Sequence, residues 1–342
     1  MGASDNNLRY CNFAKTVLML LVVLCHSVAF YGGNWFTALE PVQTNRYLGL
    51  LSSWLGTFHV QAFTLISGYI FYYCREESGK YSDFKAFIIN KTRRLLIPYI
   101  AISIFWAIPI GYIYYGYTLN EIINGFILGQ SPSQLWFLLM LFNVLVIAYF
   151  LLNKNVIRGS VVCTLFVLSP LFTMILPNYF QIITSMKYLL FFYAGFMIRR
   201  HYPAITSESM LRIGCVFLMI NLLSFIMREG FNWNDSHLWR MIRYFLSCLC
   251  ELSGAVTAFF LLSYFASVIK WNNALFNSVS KVSFPIYMFH QQVIYFLLWH
   301  FSTSCTPIMM SVICFLGSAL ISWAIGTIMN MSKPTRIIIG GK

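Results

Sequence analysis

The chain is expected to be an all-α polytopic membrane protein, a bundle of about ten transmembrane helices with both termini in the cytoplasm. Three observations point there. Of 342 residues, 59% are hydrophobic, 18% aromatic and only 10% charged, and the mean hydropathy is +0.70, more than a soluble globular domain needs. The apolar residues gather into runs at 12–31, 48–73, 95–115, 135–152, 156–176, 184–199, 211–227, 242–264, 283–300 and 306–330, each long enough to cross a bilayer. The basic residues recur in the short gaps between runs, and mostly on alternate gaps.

That alternation sets the orientation. One side carries Arg9, Lys15, Arg75, Lys80, Lys85, Lys91, Arg93, Arg94, Lys154, Arg158, Arg199, Arg200, Arg212, Lys270, Lys281, Lys333, Arg336 and Lys342, which is 18 of the 23 Lys and Arg. The other side holds Arg46, Lys187, Arg228, Arg240 and Arg243. Positive charge marks the cytoplasmic side, and an even number of spans agrees. The net charge of +13 is therefore a topology signal spread over many loops, not a patch for nucleic acid. Nine scattered cysteines without a C-x-x-C pair read as small buried hydrophobes, neither a disulfide framework nor a metal site. The first run has no small-residue cleavage site after it and many spans follow, so it is read as a mature helix. No linker, soluble domain or internal repeat stands out, and residues 1–342 are expected to form a single transmembrane domain.

The first run, NFAKTVLMLLVVLCHSVAFY, is the organising element. Lys15 and His26 are eleven positions apart. At about 100° per residue this is three turns plus roughly 20°, so both project from one face about 16 Å apart. Ionisable groups inside a membrane helix face a bundle interior or a wet cavity. The plainer alternative is a snorkelling lysine and a histidine bonded to a neighbouring helix.

The second run contains His59 near its outer end and Ser67-Gly68-Tyr69 near its middle. His26 and His59 lie at comparable depth on neighbouring helices and are placed to meet. Gly68 permits a close approach by a backbone or a ligand, and Ser67 can bond back to its own helix. Lys91 and Arg94 share a helical face at the cytoplasmic mouth of the third run, just before Pro98. They are either a collar that fixes topology or a pair that holds the phosphates of a nucleotide or coenzyme. Trp136, beside Gln134, opens the fourth run as an interfacial aromatic. Glu251 is the one acid deep in an apolar run and needs a partner, Arg243 or a residue on another helix. In the ninth run His290, Gln291 and Gln292 must face an interior, for a ligand or for other helices. His201, His237 and His300 read as solvated.

Taken together, these pieces resemble acyltransferase family 3, the integral membrane acyltransferases. The matching motifs are the basic residue, ten residues, then histidine (Lys15, His26), the SGY at 67–69, K-x-x-R-L-L-I-P-Y at 91–99, LWFL at 135–138 and IYMFH at 286–290, in order over most of the chain. The FH at 58–59 is similar to the fucose 4-O-acetylase-like sugar acetylases. The chain departs from the family pattern at Asn12, where Asp is usual, at Lys15, where Arg is usual, and at Gln134, where His often stands.

The resemblance implies a multi-pass protein of the bacterial inner (cell) membrane. Its implied reaction moves an acyl group, most often acetyl, from acyl-CoA to a hydroxyl of a cell-surface sugar, polysaccharide or glycolipid. His26, Lys15 and His59 are then the candidate catalytic residues, Lys91, Arg94, Ser67, Gly68 and Tyr69 the donor-site residues, and Trp136, Glu251 and His290 the acceptor-side residues. Acyl-CoA is expected as a donor substrate, with no permanently bound cofactor or metal. A neutral imidazole suits removal of the hydroxyl proton, either directly or by carrying the acyl group itself. The competing class, a transporter or flippase for a polar or lipid-linked substrate, usually shows paired repeats with broken helices, which the sequence lacks.

Overall fold

The computed structural model describes residues 3–33, 35–153, 158–202, 205–231, 236–271 and 273–341, with the backbone alone for 3–7 and His237. Lys154, Lys342, the start of the 156–176 run and part of the 228–241 loop lie outside the described residues, as does the His237 side chain. Among the described residues the structure is helical and contains no strand. The long helices are α1 (Ala3–Ala29), α2 (Arg46–Gly56), α3 (His59–Tyr72) and α4 (Phe84–Tyr115). They continue with α5 (Ser133–Leu151), α6 (Gly159–Ile175), α7 (Tyr179–His201), α8 (Ser207–Gly230) and α9 (His237–Val268). The last two are α10 (Ser283–Phe301) and α11 (Pro307–Met329). Among the described residues, 7 helices are long and apolar enough to span a membrane.

The other three expected runs are helical but differ instructively. The 48–73 run, expected as one span, is broken into α2 and α3 at Thr57–Phe58. Asn45 caps the N-terminus of α2, its Oδ1 accepting from the Tyr47 and Leu48 amides at 3.0 and 3.1 Å. At its other end the Thr57 hydroxyl donates to the Trp54 carbonyl at 2.7 Å. The 156–176 run yields the short α6 with Pro170 inside it. The 283–300 run forms α10, whose apolarity is diluted by His290, Gln291 and Gln292, all buried.

Helix α4 follows the same rules of local chemistry. Asp83 caps it, Oδ2 accepting from the Ala86 amide at 2.8 Å. Pro98 and Pro109 then deny a donor to the carbonyls of Arg94 and Phe105, four residues earlier. Each of those carbonyls lies within a π-helical turn, Thr92–Leu96 and Ser103–Ala107, which widens the helix around the missing bond.

The first helix is the hub of the bundle. It packs on α2, α3, α9, α10 and α11, and Leu18, Met19, Val22 and Val23 are buried there. Helix α3 crosses α7 at close quarters. A Cβ on Gly68 would lie 1.9 Å from the Phe192 carbonyl oxygen, and one on Gly195 would lie 1.8 Å from that of Leu65. Only glycine allows the two backbones to approach that closely.

Candidate active site

A cavity of about 440 Å³ opens at the end of the bundle where basic side chains gather. Lys15, Lys91, Arg94 and Lys281 line it, from α1, from α4 and from the end of the short helix Ala274–Lys281 that precedes α10. Asn12, Ser67, Tyr81, Asn330, Gly340 and Gly341 add polar surface. Its inner end is apolar and aromatic: Met19, Val22, Val60, Phe63, Phe137 and Tyr287.

The cations are held differently. Lys91 is buried, and its Nζ donates to the Tyr81 hydroxyl at 2.8 Å while lying 4.5 Å from the centre of the Tyr81 ring and 5.4 Å from that of Phe87. Burial, chiefly, pushes the Tyr81 phenol above its ordinary value, so it stays neutral and serves as an acceptor. Arg94 and Lys281 are exposed and Lys15 half-buried. Among the described residues no ion pair joins any of the four to a carboxylate. Lys15, Met19 and Val22 step along one face of α1 into the cavity. One further turn, about 6 Å, brings that face to His26.

His26 meets α10. Its Nδ1 lies 2.8 Å from His290 Nε2. The two ring planes are within 7° of parallel with centroids 5.1 Å apart. Nitrogens this close at that centroid separation put the rings edge to edge, nearly coplanar, since stacked faces would hold all atoms farther apart. On the other side His26 packs on Trp35, with centroids 5.3 Å apart and planes 17° apart. Trp35 is secured by Phe36, which is buried and lies 4.4 Å from the Tyr295 ring on α10.

Helix α10 is clamped at this level. The Gln134 amide nitrogen donates to the Met288 carbonyl at 2.6 Å and to Gln292 Oε1 at 2.7 Å, and Gln134 Oε1 accepts from Gln292 Nε2 at 3.0 Å. The Tyr287 hydroxyl donates to the Gln134 carbonyl, and Gln291 bonds to the Tyr295 hydroxyl. In the polar run at 290–292, His290 and Gln292 thus bond to other helices, while Gln291 bonds one turn along α10 itself. Gln134, noted in the sequence only as a departure from the family pattern, is the residue that fixes α10.

The remaining candidates lie elsewhere. His59 is buried, and its Nδ1 is 2.6 Å from the Leu55 carbonyl. It spans the break between α2 and α3, and the ring partner of His26 is His290 instead. Ser67 lines the cavity and also bonds back to the Phe63 carbonyl at 2.8 Å. Gly68 and Tyr69 do not line it. Gly68 is spent on the crossing with α7, and the Tyr69 hydroxyl accepts from Arg199 at 3.0 Å. Arg199 in turn forms a bidentate pair with Glu77, both bonds 2.6 Å. Glu251 pairs with Lys187 at 2.8 Å, not with Arg243, and joins α7 to α9. Trp136 packs against Tyr188, the next residue on α7, at 5.6 Å. Lys281, a cavity cation, was indistinguishable in the sequence from any other topological charge.

The family model described as an acyltransferase domain, family 3, matches residues 8–327. Neither a curated protein nor a solved structure gives a match to the chain.

Proposed function

Because the chain belongs to acyltransferase family 3, an integral membrane acyltransferase by its family and its helices, we propose that it moves an acyl group, acetyl foremost, from cytoplasmic acyl-CoA to a hydroxyl of a cell-surface sugar, polysaccharide or glycolipid. The observation that carries this reading is the cavity itself. Four cations without carboxylate partners among the described residues surround its mouth, and its apolar inner end lies one turn from an imidazole on the same face of α1. Clustered Lys and Arg suit the phosphates and diphosphate of CoA. The apolar end suits the acyl and pantetheine arm, which would extend along the face of α1 toward His26.

The chemistry then follows from His26. The acceptor hydroxyl oxygen attacks the thioester carbonyl as the imidazole takes the hydroxyl proton. Collapse of the tetrahedral intermediate breaks the carbon–sulfur bond, and the imidazolium returns the proton to the leaving thiolate. The products are an ester and CoA, and the histidine is restored. Lys15, half-buried and itself one of the four cavity cations, is the one α1 supplies to the donor, on the same face as His26. In this reading Gly68, Tyr69, Trp136 and Glu251 hold helices together and do not touch the reactants, and the transporter alternative has no support from an internal repeat.

The test is the donor site. Changing Lys91 and Arg94 together to Gln is expected to raise the KM for acetyl-CoA by about 10-fold to 150-fold, the worth of about 1.5–3 kcal/mol in charge-assisted phosphate contacts. Expression and thermal stability should stay near normal. An unchanged donor KM in a well-folded double variant would make these residues a topology collar and refute the assignment.

A further inference from the structure

His290 was grouped with the acceptor-side residues on sequence, but its bonds give it a different task. We infer that His290 is a positioning residue that fixes His26 in a single tautomer and leaves Nε2 of His26 as the atom that takes the hydroxyl proton. This rests on the reading of His26 as the base.

The argument is a chain of donors and acceptors. His290 Nδ1 lies 2.7 Å from the Tyr287 carbonyl oxygen and 3.2 Å from that of Ile286. A carbonyl oxygen only accepts, so Nδ1 of His290 carries the hydrogen. The other nitrogen of a neutral imidazole holds a lone pair, and that nitrogen, Nε2, is the one 2.8 Å from His26 Nδ1. The bond between the rings therefore needs the hydrogen on His26 Nδ1. The lone pair of His26 is left on Nε2, pointing away from His290. The edge-to-edge, nearly coplanar rings place the lone pair of one in line with the N–H of the other, as a strong bond requires.

The surroundings hold this arrangement. His290 is fully buried. Tyr287, whose carbonyl reads the His290 hydrogen, is itself latched by its hydroxyl to the Gln134 carbonyl, and Gln134 grips the next turn through Met288 and Gln292. When His26 takes a proton at Nε2 it becomes a cation, and its Nδ1–H bond to His290 becomes charge-assisted and stronger. His290 thus does with a neutral ring what a carboxylate does for the histidine of a Ser-His-Asp triad: it sets the tautomer and supports the charged form.

Purified full-length protein separates this inference from the reading beneath it. The readout is CoA released from acetyl-CoA, with water and added monosaccharide as acyl acceptors, followed across pH. In His290→Ala the acceptor for Nδ1–H is gone. Its kcat is expected to fall roughly tenfold to a thousandfold, its KM for acetyl-CoA to stay near native, and the acidic limb of its pH profile to move. In His290→Gln, Oε1 takes the place of Nε2 as acceptor, so kcat is expected within about tenfold of native with the acidic limb unmoved. If His26→Ala is inactive while His290→Ala keeps the native kcat and pH profile, or if the Gln and Ala variants are equally impaired, the positioning role is refuted and the base stands. If His26→Ala itself keeps native turnover, or if the native protein releases no CoA, the reading of the site falls and this inference falls with it.

Discussion

Two clusters of positive charge sit toward the same end of this bundle and are treated in opposite ways. Arg199 on α7 is buried to 2% exposure, gripped by both oxygens of Glu77, bonded to the Tyr69 hydroxyl and covered by the rings of Tyr69 and Tyr73. Lys15, Lys91, Arg94 and Lys281 face a cavity, with no carboxylate paired to any of them among the described residues. A protein that burdens its interior with charge normally pairs it at once. Arg199 obeys that rule and fastens helices. Of the cavity cations only Lys91 is buried, held by the Tyr81 hydroxyl and ring, while Arg94 and Lys281 stay exposed, free in the proposed reading to meet an anionic donor.

The comparison predicts where stability and function separate. The largest stability effect should come from Gly195→Ala, because the new Cβ meets the Leu65 backbone and nothing flexible can yield. A loss of about 3 kcal/mol or more is expected, seen as a lower thermal midpoint in detergent. Arg199→Leu should follow, at a cost on the order of 3 kcal/mol because it strands Glu77 and Tyr69. By contrast, Lys281→Gln should leave the thermal midpoint unchanged and raise the acetyl-CoA KM by about 3- to 10-fold, a single exposed contact. A thermal collapse in Lys281→Gln, or an unaffected midpoint in Arg199→Leu, would erase the distinction. Smaller still is the response to salt. Raising ionic strength should weaken donor binding at the exposed cations while the buried Arg199–Glu77 pair is little screened.

Much of this was legible in the sequence. Eleven-residue spacing is a property of the helix alone, so the shared face of Lys15 and His26 could be read directly, and the cavity follows that face. Which neighbour a residue meets could not be read, because it depends on how helices rotate and cross. Ser67, Gly68 and Tyr69 are consecutive, so they point in three directions. Ser67 reaches the cavity, Gly68 the α7 backbone and Tyr69 the guanidinium of Arg199. Depth placed His59 beside His26, but the break at Thr57–Phe58 turned its ring toward the Leu55 carbonyl. The buried run 290–292 announced an interior face without naming its partner. Lys281 looked like one more loop charge because only the fold brings the end of the short helix Ala274–Lys281 to the mouth lined by α1 and α4.

The central claim is that the imidazole of His26 takes the proton from the acceptor. The most direct measurement is kcat and acetyl-CoA binding in His26→Gln, since the amide keeps a hydrogen bond to His290 but takes no proton at neutral pH. The account predicts a folded protein that binds acetyl-CoA normally and turns over about 10²–10⁴-fold more slowly. Near-native kcat in His26→Gln would contradict it and move the base to another residue.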